Sequence, residues 1–208
     1  MVGSVRSGSG GREATTAQAR RSTDPCIRPL TVDEYHRMAD VGILRPDERV
    51  ELLDGLIIQM SPINPPHNAC VARTSTWFVR RVDDRACVFT QGSFRLSGFS
   101  EPEPDIFLAR YRDDFYETAH AHPEDLLLVI EVSDTSLRYD RDDKLPRYAA
   151  AGIPEAWIAD VKRKRLTVYR DPSPDGYRQV ITLTRRATIS PLAFRDLALR
   201  WEDIFGKA

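Results

Sequence analysis

The sequence predicts an α/β domain, with helices and strands mixed around one sheet and with peripheral β-hairpins. Three observations lead there. The run Leu126 to Ile130 is apolar without interruption and bounded by polar residues, as a strand buried on both faces would be. Asp54-Gly55 and Lys162-Arg163-Lys164 each separate two apolar-rich segments, the pattern of hairpin turns. Stretches with helical spacing and clear start signals alternate with these strands, which favours one mixed sheet.

Residues 1–25 are rich in Gly, Ser, Thr, Arg and Ala. With few large apolar side chains to bury, they cannot offset their ordering entropy and are expected to form a disordered tail, leaving 26–208 as a single domain. Thr31 and Glu34 then form a T-x-x-E capping box, with Leu30 and Tyr35 placed to staple across it, opening a helix that ends near Gly42. Arg49 to Leu53 and Leu56 to Met60 pair around Asp54-Gly55. Pro62, Pro65 and Pro66 make a bend before a helix over Asn68 to Val82. Strands are expected over Ala86 to Gln91, Phe94 to Leu96 and Pro104 to Ala109, and an irregular connection over Asp113 to Pro123. The central strand runs from Leu126 to Val132. A helix over Asp142 to Ala151 closes on Gly152, with Pro154 beyond. Ala156 to Val161 and Leu166 to Arg170 form the second hairpin, Gln179 to Thr184 is a further strand, and Trp201 to Phe205 is a short helix.

Composition narrows the function classes. The chain has 208 residues, 41% hydrophobic and 29% charged, an ordinary soluble composition. No apolar stretch approaches the ~20 residues of a membrane helix, and no signal core is visible, so a cytoplasmic protein without membrane contact is expected. Cys26, Cys70 and Cys87 lack metal or disulfide spacing. A net charge of −1 means that any nucleic-acid contact must be made by a local patch. Only Lys144, Lys162, Lys164 and Lys207 are lysines among 30 basic residues, so each lysine departs from a strong preference for arginine. There is no GxxxxGK, GxGxxG or GxSxG, which removes nucleotide-triphosphate, dinucleotide and serine-hydrolase readings.

The informative residues are acids at the ends of apolar strands. Glu131 follows five apolar residues, and alternation places it on one face with Leu127 and Val129. Asp105 opens the strand Asp105-Ile106-Phe107-Leu108. A carboxylate at the edge of a core must be paired, protonated or bound to a metal. The two could share a hard cation such as Mg²⁺, or each could be an ordinary strand-end acid paired with arginine. Pro146 is best tolerated in a first helical turn, so Lys144 is expected near the helix start, pointing towards the strand ends and removable at a cost under about 1 kcal/mol. The alternative is a surface lysine paired with Asp140 or Asp143. His67 is a helix-start residue or a phosphate contact, while His120 and His122 lack a third ligand at metal spacing and read as solvated loop residues. Lys162-Arg163-Lys164-Arg165 is either a phosphate grip or a charged hairpin tip.

Taken in order, Arg49-Val50-Glu51-Leu52-Leu53-Asp54-Gly55, Met60-Ser61-Pro62, Glu103-Pro104-Asp105, Leu128-Val129-Ile130-Glu131-Val132-Ser133, Asp140-Arg141-Asp142-Asp143-Lys144-Leu145 and Tyr148 to Trp157 resemble the Uma-two (Uma2) family of the PD-(D/E)XK nuclease superfamily. The resemblance spans about residues 30–205. It implies a restriction-endonuclease-like fold, a mixed sheet flanked by helices, and Mg²⁺-dependent hydrolysis of phosphodiester bonds, with Mn²⁺ able to substitute and DNA as the partner. Within it, Asp105, Glu131 and the Val132 carbonyl correspond to the metal ligands, and Glu51 to an accessory acid completing a second, weaker metal site. Ser133 stands where the motif has lysine, and Lys144 looks like its replacement from the next helix, positioning a water nucleophile. His67, Ser133 and Arg138 are the candidate nucleic-acid contacts. A homodimer is compatible with the sequence, and a non-catalytic nucleic-acid or protein-binding module on a nuclease fold is the rival reading.

Overall fold

The computed structural model describes residues 27–207, so the tail expected over 1–25, and Cys26, lie outside the described residues. Helix α1 (Val32–Asp40) opens on the expected capping box: Glu34 N donates to Thr31 Oγ1 at 3.2 Å, and Thr31 N to Glu34 Oε2 at 2.9 Å. Strands β1 (Val50–Leu53) and β2 (Leu56–Gln59) pair antiparallel about Asp54 and Gly55, whose φ angles of 50° and 75° suit a two-residue turn. Helix α2 (Pro65–Val82) begins earlier than the sequence suggests. Asn64 caps it by accepting from His67 N at 3.1 Å, and Pro65 and Pro66 fall where no helical N–H is needed.

The main sheet follows: β3 (Ala86–Thr90), β4 (Ile106–Arg110) and β5 (Leu126–Ser133). Then come α3 (Leu137–Tyr139), a wide π-turn over Asp140–Lys144, and α4 (Leu145–Ala150). Strands β6 (Glu155–Asp160), β7 (Arg165–Ser173) and β8 (Gly176–Leu183) complete the sheet in the order β3-β4-β5-β6-β7-β8. A small pair, β9 (Thr188–Ile189) and β10 (Leu199–Arg200), precedes α5 (Trp201–Phe205). Within the six-stranded sheet only β5 and β6 run parallel, because the helical run over 137–150 carries the chain back between them. Phe78, Ile130, Trp157 and Trp201 pack on one face of the sheet, and Phe94, Phe107, Val129 and Tyr148 on the other. Glu155, fully buried on β6, accepts from Arg170 Nε and Trp157 Nε1 at 2.8 Å each and from Leu192 N at 2.6 Å, tying the C-terminal segment to the sheet.

The structure corrects three expectations. Phe94 to Leu96 is not a strand: its N–H groups donate to Pro102, Ala121 and Ser100 carbonyls, so the segment folds back on neighbouring loops while Phe94 and Leu96 still point inward. Leu127 does not share a face with Glu131, because the β4–β5 register shifts beside it and it packs with the opposite core. The helix before β6 does not start at Asp142. Leu145 N–H reaches the Asp140 carbonyl five residues back, and this widened turn lets a helical run continue through Pro146. Lys144 therefore sits in mid-run, with no helix N-terminus beside it.

Gly55 is where the backbone has least latitude. Its φ is positive, and a Cβ there would lie 2.7 Å from Leu30 N, because the chain entering α1 crosses directly over the turn. Gly55→Ala is expected to cost about 2 kcal/mol or more. The check is a urea denaturation midpoint that falls with an unchanged slope.

Candidate active site

Strand β5 ends against a cavity of about 330 Å³ that gathers residues distant in sequence: Glu51 from β1, Asp105 before β4, Glu131 from β5 and Lys144 from the π-turn. Each is held differently. Glu131 is 4% exposed and points to the α4 side, where Tyr148 Oη donates to its Oε1 at 2.7 Å. Lys144, 2% exposed, sets its Nζ 2.9 Å from Glu131 Oε1 and 3.1 Å from Glu51 Oε2. Glu51 Oε2 also accepts from Glu103 N at 2.9 Å, which fastens the β1–β2 hairpin to the segment leading to Asp105. Asp105 Oδ2 accepts from the Val132 amide at 2.8 Å, and its Oδ1 lies 3.1 Å from His67 Nε2. The other His67 ring nitrogen, Nδ1, is buried without a hydrogen-bond partner.

The expectation of a cheaply removable Lys144 is thus overturned. Its ammonium is enclosed, and its removal would leave two buried carboxylates uncompensated. Ser133 is also enclosed: it is 1% exposed, and its hydroxyl donates to Asp140 Oδ2 at 2.6 Å, which leaves it no route to a nucleic-acid backbone. Arg138 is exposed on α3, outside the cavity wall, and His67 lies in the wall.

Charge is badly unbalanced here. Glu51, Glu103, Asp105, Glu131, Asp134 and Asp140 line the cavity against only two permanent cations, Arg49 and Lys144. Burial pushes the Glu131 carboxyl up to about 8, against the opposing charge of Lys144. Burial likewise raises Asp140, against Lys144 and the Ser133 and Ser136 hydroxyls, and raises Glu103 against Arg49. Burial disfavours the Lys144 charge, but Glu131, Glu51 and Asp140 outweigh it and hold the ammonium protonated. Burial also works against a charged His67, yet Asp105 outweighs it and raises the imidazole. The cavity is short of positive charge.

Comparison with known families supplies the context for this arrangement. The model of the Uma2 family, described as "putative restriction endonuclease", matches residues 32–202. The chain belongs to the Uma2 family. Among solved structures, this Uma2 chain is similar to the crystal structure of a "putative nuclease belonging to DUF820" from Anabaena variabilis ATCC 29413. The TM-score is 0.69 at 18% identity, over 85% of this chain and 98% of that one. That likeness bears on the fold, a restriction-endonuclease-like mixed sheet flanked by helices, and the family description supports nuclease function. A search of curated proteins found no match. Among the described residues, no helix is long and apolar enough to cross a membrane.

Several site residues of this Uma2 chain carry no role in the sequence analysis: Tyr148 and Asp140 enter only inside the family motifs, Asp140 also as an ion partner for Lys144, and Asp134 not at all. Asp140 is in fact buried and accepts from both Ser133 and Ser136 at 2.6 Å, which pins the loop between β5 and α3.

Two outcomes follow for stability. Lys144→Met should destabilise the protein by up to about 3–5 kcal/mol above pH 8, where Glu131 is ionised, and by less near neutral pH. Added to a Glu131→Gln protein it should cost clearly less, as a double-mutant cycle by urea denaturation would read; strictly additive costs would mean that the two groups do not interact. The second outcome concerns pH. A carboxyl raised in the fold contributes stability below its unfolded value of 4.5, and that contribution is lost as pH climbs through about 8. In EDTA, the melting temperature should fall across this window, and Glu131→Gln should flatten the fall and melt higher at its alkaline end. A Glu131→Gln protein that melts lower throughout would make Glu131 a purely structural ion-pair partner.

Proposed function

We propose that this chain is a divalent-metal-dependent endonuclease that hydrolyses phosphodiester bonds in DNA. The observation that supports it most is the acid excess around one enclosed ammonium: six carboxylates converge on a cavity that would repel a phosphodiester unless a cation joined them. Hard oxygen donors of this kind suit Mg²⁺ or Mn²⁺. Asp105 and Glu131, with the Val132 carbonyl, would hold the ion, and the unpartnered His67 Nδ1 marks a polar wall beside them. When bound, such an ion supplies Lewis acidity at the scissile phosphate and activates water.

The chain's own groups do the positioning. Val132 N–H fixes one Asp105 oxygen, and the backbone of β5 thereby sets the spacing between Asp105 and Glu131. An ammonium has three donors, and the two carboxylates account for two at Lys144, leaving one for a water or a phosphate oxygen. Glu51 keeps that ammonium aimed, since its Oε2 is already engaged by both Lys144 and the Glu103 amide. Arg49 in the cavity wall and Arg138 outside it are the cations placed to meet flanking phosphates.

Plasmid and single-stranded DNA cleavage with Mg²⁺ or Mn²⁺ tests the reading. Asp105→Ala should lose both Mn²⁺ binding by calorimetry and cleavage. Lys144→Arg should keep Mn²⁺ binding but cleave more slowly by about 10²-fold or more, because a planar guanidinium cannot occupy the ammonium's place. A melting curve on each variant separates chemistry from unfolding. Full activity in Lys144→Arg would remove the lysine from the reaction, and DNA binding without cleavage in the wild type would favour a non-catalytic binding module.

A further inference from the structure

A second constellation lies on the same segment as Asp105 but faces elsewhere: His36 on α1, Glu101 before β4, and His120 in the connection between β4 and β5. One ligand atom from each falls within 4.8 Å of the others. His36 Nε2 lies 2.9 and 3.0 Å from the two Glu101 oxygens, and His120 Nε2 lies 4.0 Å from Glu101 Oε1. Ligands at ~2.0–2.2 Å around a tetrahedral ion are separated by ~3.3 Å, and the spacings here bracket that value.

Glu101 is fixed before any ion arrives. It is 4% exposed, and its backbone exchanges hydrogen bonds with Leu52 at 2.8 and 3.3 Å. Ser93 Oγ donates to Glu101 Oε1 at 3.0 Å and lies 3.4 Å from His120 Nδ1. A hydroxyl at Nδ1 leaves Nε2 as the nitrogen directed to a metal, the outer-shell arrangement that orients ligating histidines. A proton on His36 Nε2 satisfies Glu101 but does nothing for His120, whereas an ion among the three engages all of them. Both imidazoles are about half exposed, which gives an ion a way in and leaves room for water as a fourth ligand.

We infer that His36, Glu101 and His120 form a binding site for a borderline transition metal, Zn²⁺ by chemistry, separate from the acidic cavity. Two imidazoles and one carboxylate suit Zn²⁺, Ni²⁺ or Co²⁺ and not Mg²⁺, whereas the cavity at β5 is almost all oxygen. The metal clips α1 and the loop carrying His120 onto the segment that ends at Asp105. His120 is the exposed loop residue that the sequence suggests, but its partners lie at positions 36 and 101, too far off in sequence to reveal ligand spacing. This inference does not depend on the nuclease reading.

The test is Zn²⁺ binding by equilibrium dialysis and metal analysis on chelator-stripped protein, with excess Mg²⁺ present to occupy the acidic cavity. Wild type and Asp105→Ala should each bind one equivalent. His120→Ala, a change at a half-exposed loop position that leaves the fold intact, should weaken binding by at least about 100-fold, and Ser93→Ala by about 10-fold. Co²⁺ in place of Zn²⁺ should give the strong visible absorption of a four-coordinate ion in wild type and lose it in His120→Ala. Unchanged Zn²⁺ affinity in His120→Ala, no Zn²⁺ bound by wild type, or loss of the equivalent in Asp105→Ala would each overturn the site.

Discussion

The Lys144 ammonium, shared between Glu131 and Glu51, is the interaction on which the rest of this structure turns. Burying three charges costs several kcal/mol per ion, and attraction recovers that only if the remaining donors and acceptors are also met. Here most of them are met, by parts with no other reason to converge, and one ammonium donor is left facing the cavity. Tyr148 on α4 serves Glu131, the Glu103 amide serves Glu51, and the π-turn brings Lys144 to them. The turn is the geometric key. By adding one residue to the helical register it sets Lys144 at the cavity and accommodates Pro146 in the same stroke.

The arrangement is incomplete as an electrostatic system. A fold that wanted only stability would replace the buried acids by apolar residues of similar size, which is commonly neutral or stabilising. Retaining six carboxyl groups around a cavity with Arg49 and Lys144 as counter-charges is the arrangement that the proposed cation site calls for. His67 and Asp105 show the same economy on a smaller scale: the imidazole provides part of the charge that the carboxylate lacks, and one of its nitrogens goes without a partner.

What the sequence revealed, and what it hid, divides along the range of the interactions. The capping box at Thr31, the turn at Asp54-Gly55 and the buried strand β5 are set by neighbours a few residues apart, and all three were legible. Phe94 to Leu96 misled because a loop that folds back on itself can bury alternate side chains just as a strand does. Lys144 was singled out by its rarity among arginines, but its surroundings were misjudged, since the proline rule that placed it at a helix start does not foresee a π-turn. Tyr148 and Asp140 look in sequence like an apolar-stripe residue and a loop acid. Only the fold shows that the first bonds Glu131 and the second holds two serines.

The cavity draws on β1, the start of β4, the end of β5 and the helical run behind it, so no contiguous fragment contains it. Contacts this far apart in sequence close late and slow folding, because long loops must be ordered before any attraction is gained. For a nascent chain this has a consequence. Until the segment around residue 144 has been made, Glu51 and Glu131 lack the ammonium that offsets their burial. Assembly of the domain and arming of its cavity are therefore one event, and a partly synthesised chain carries neither.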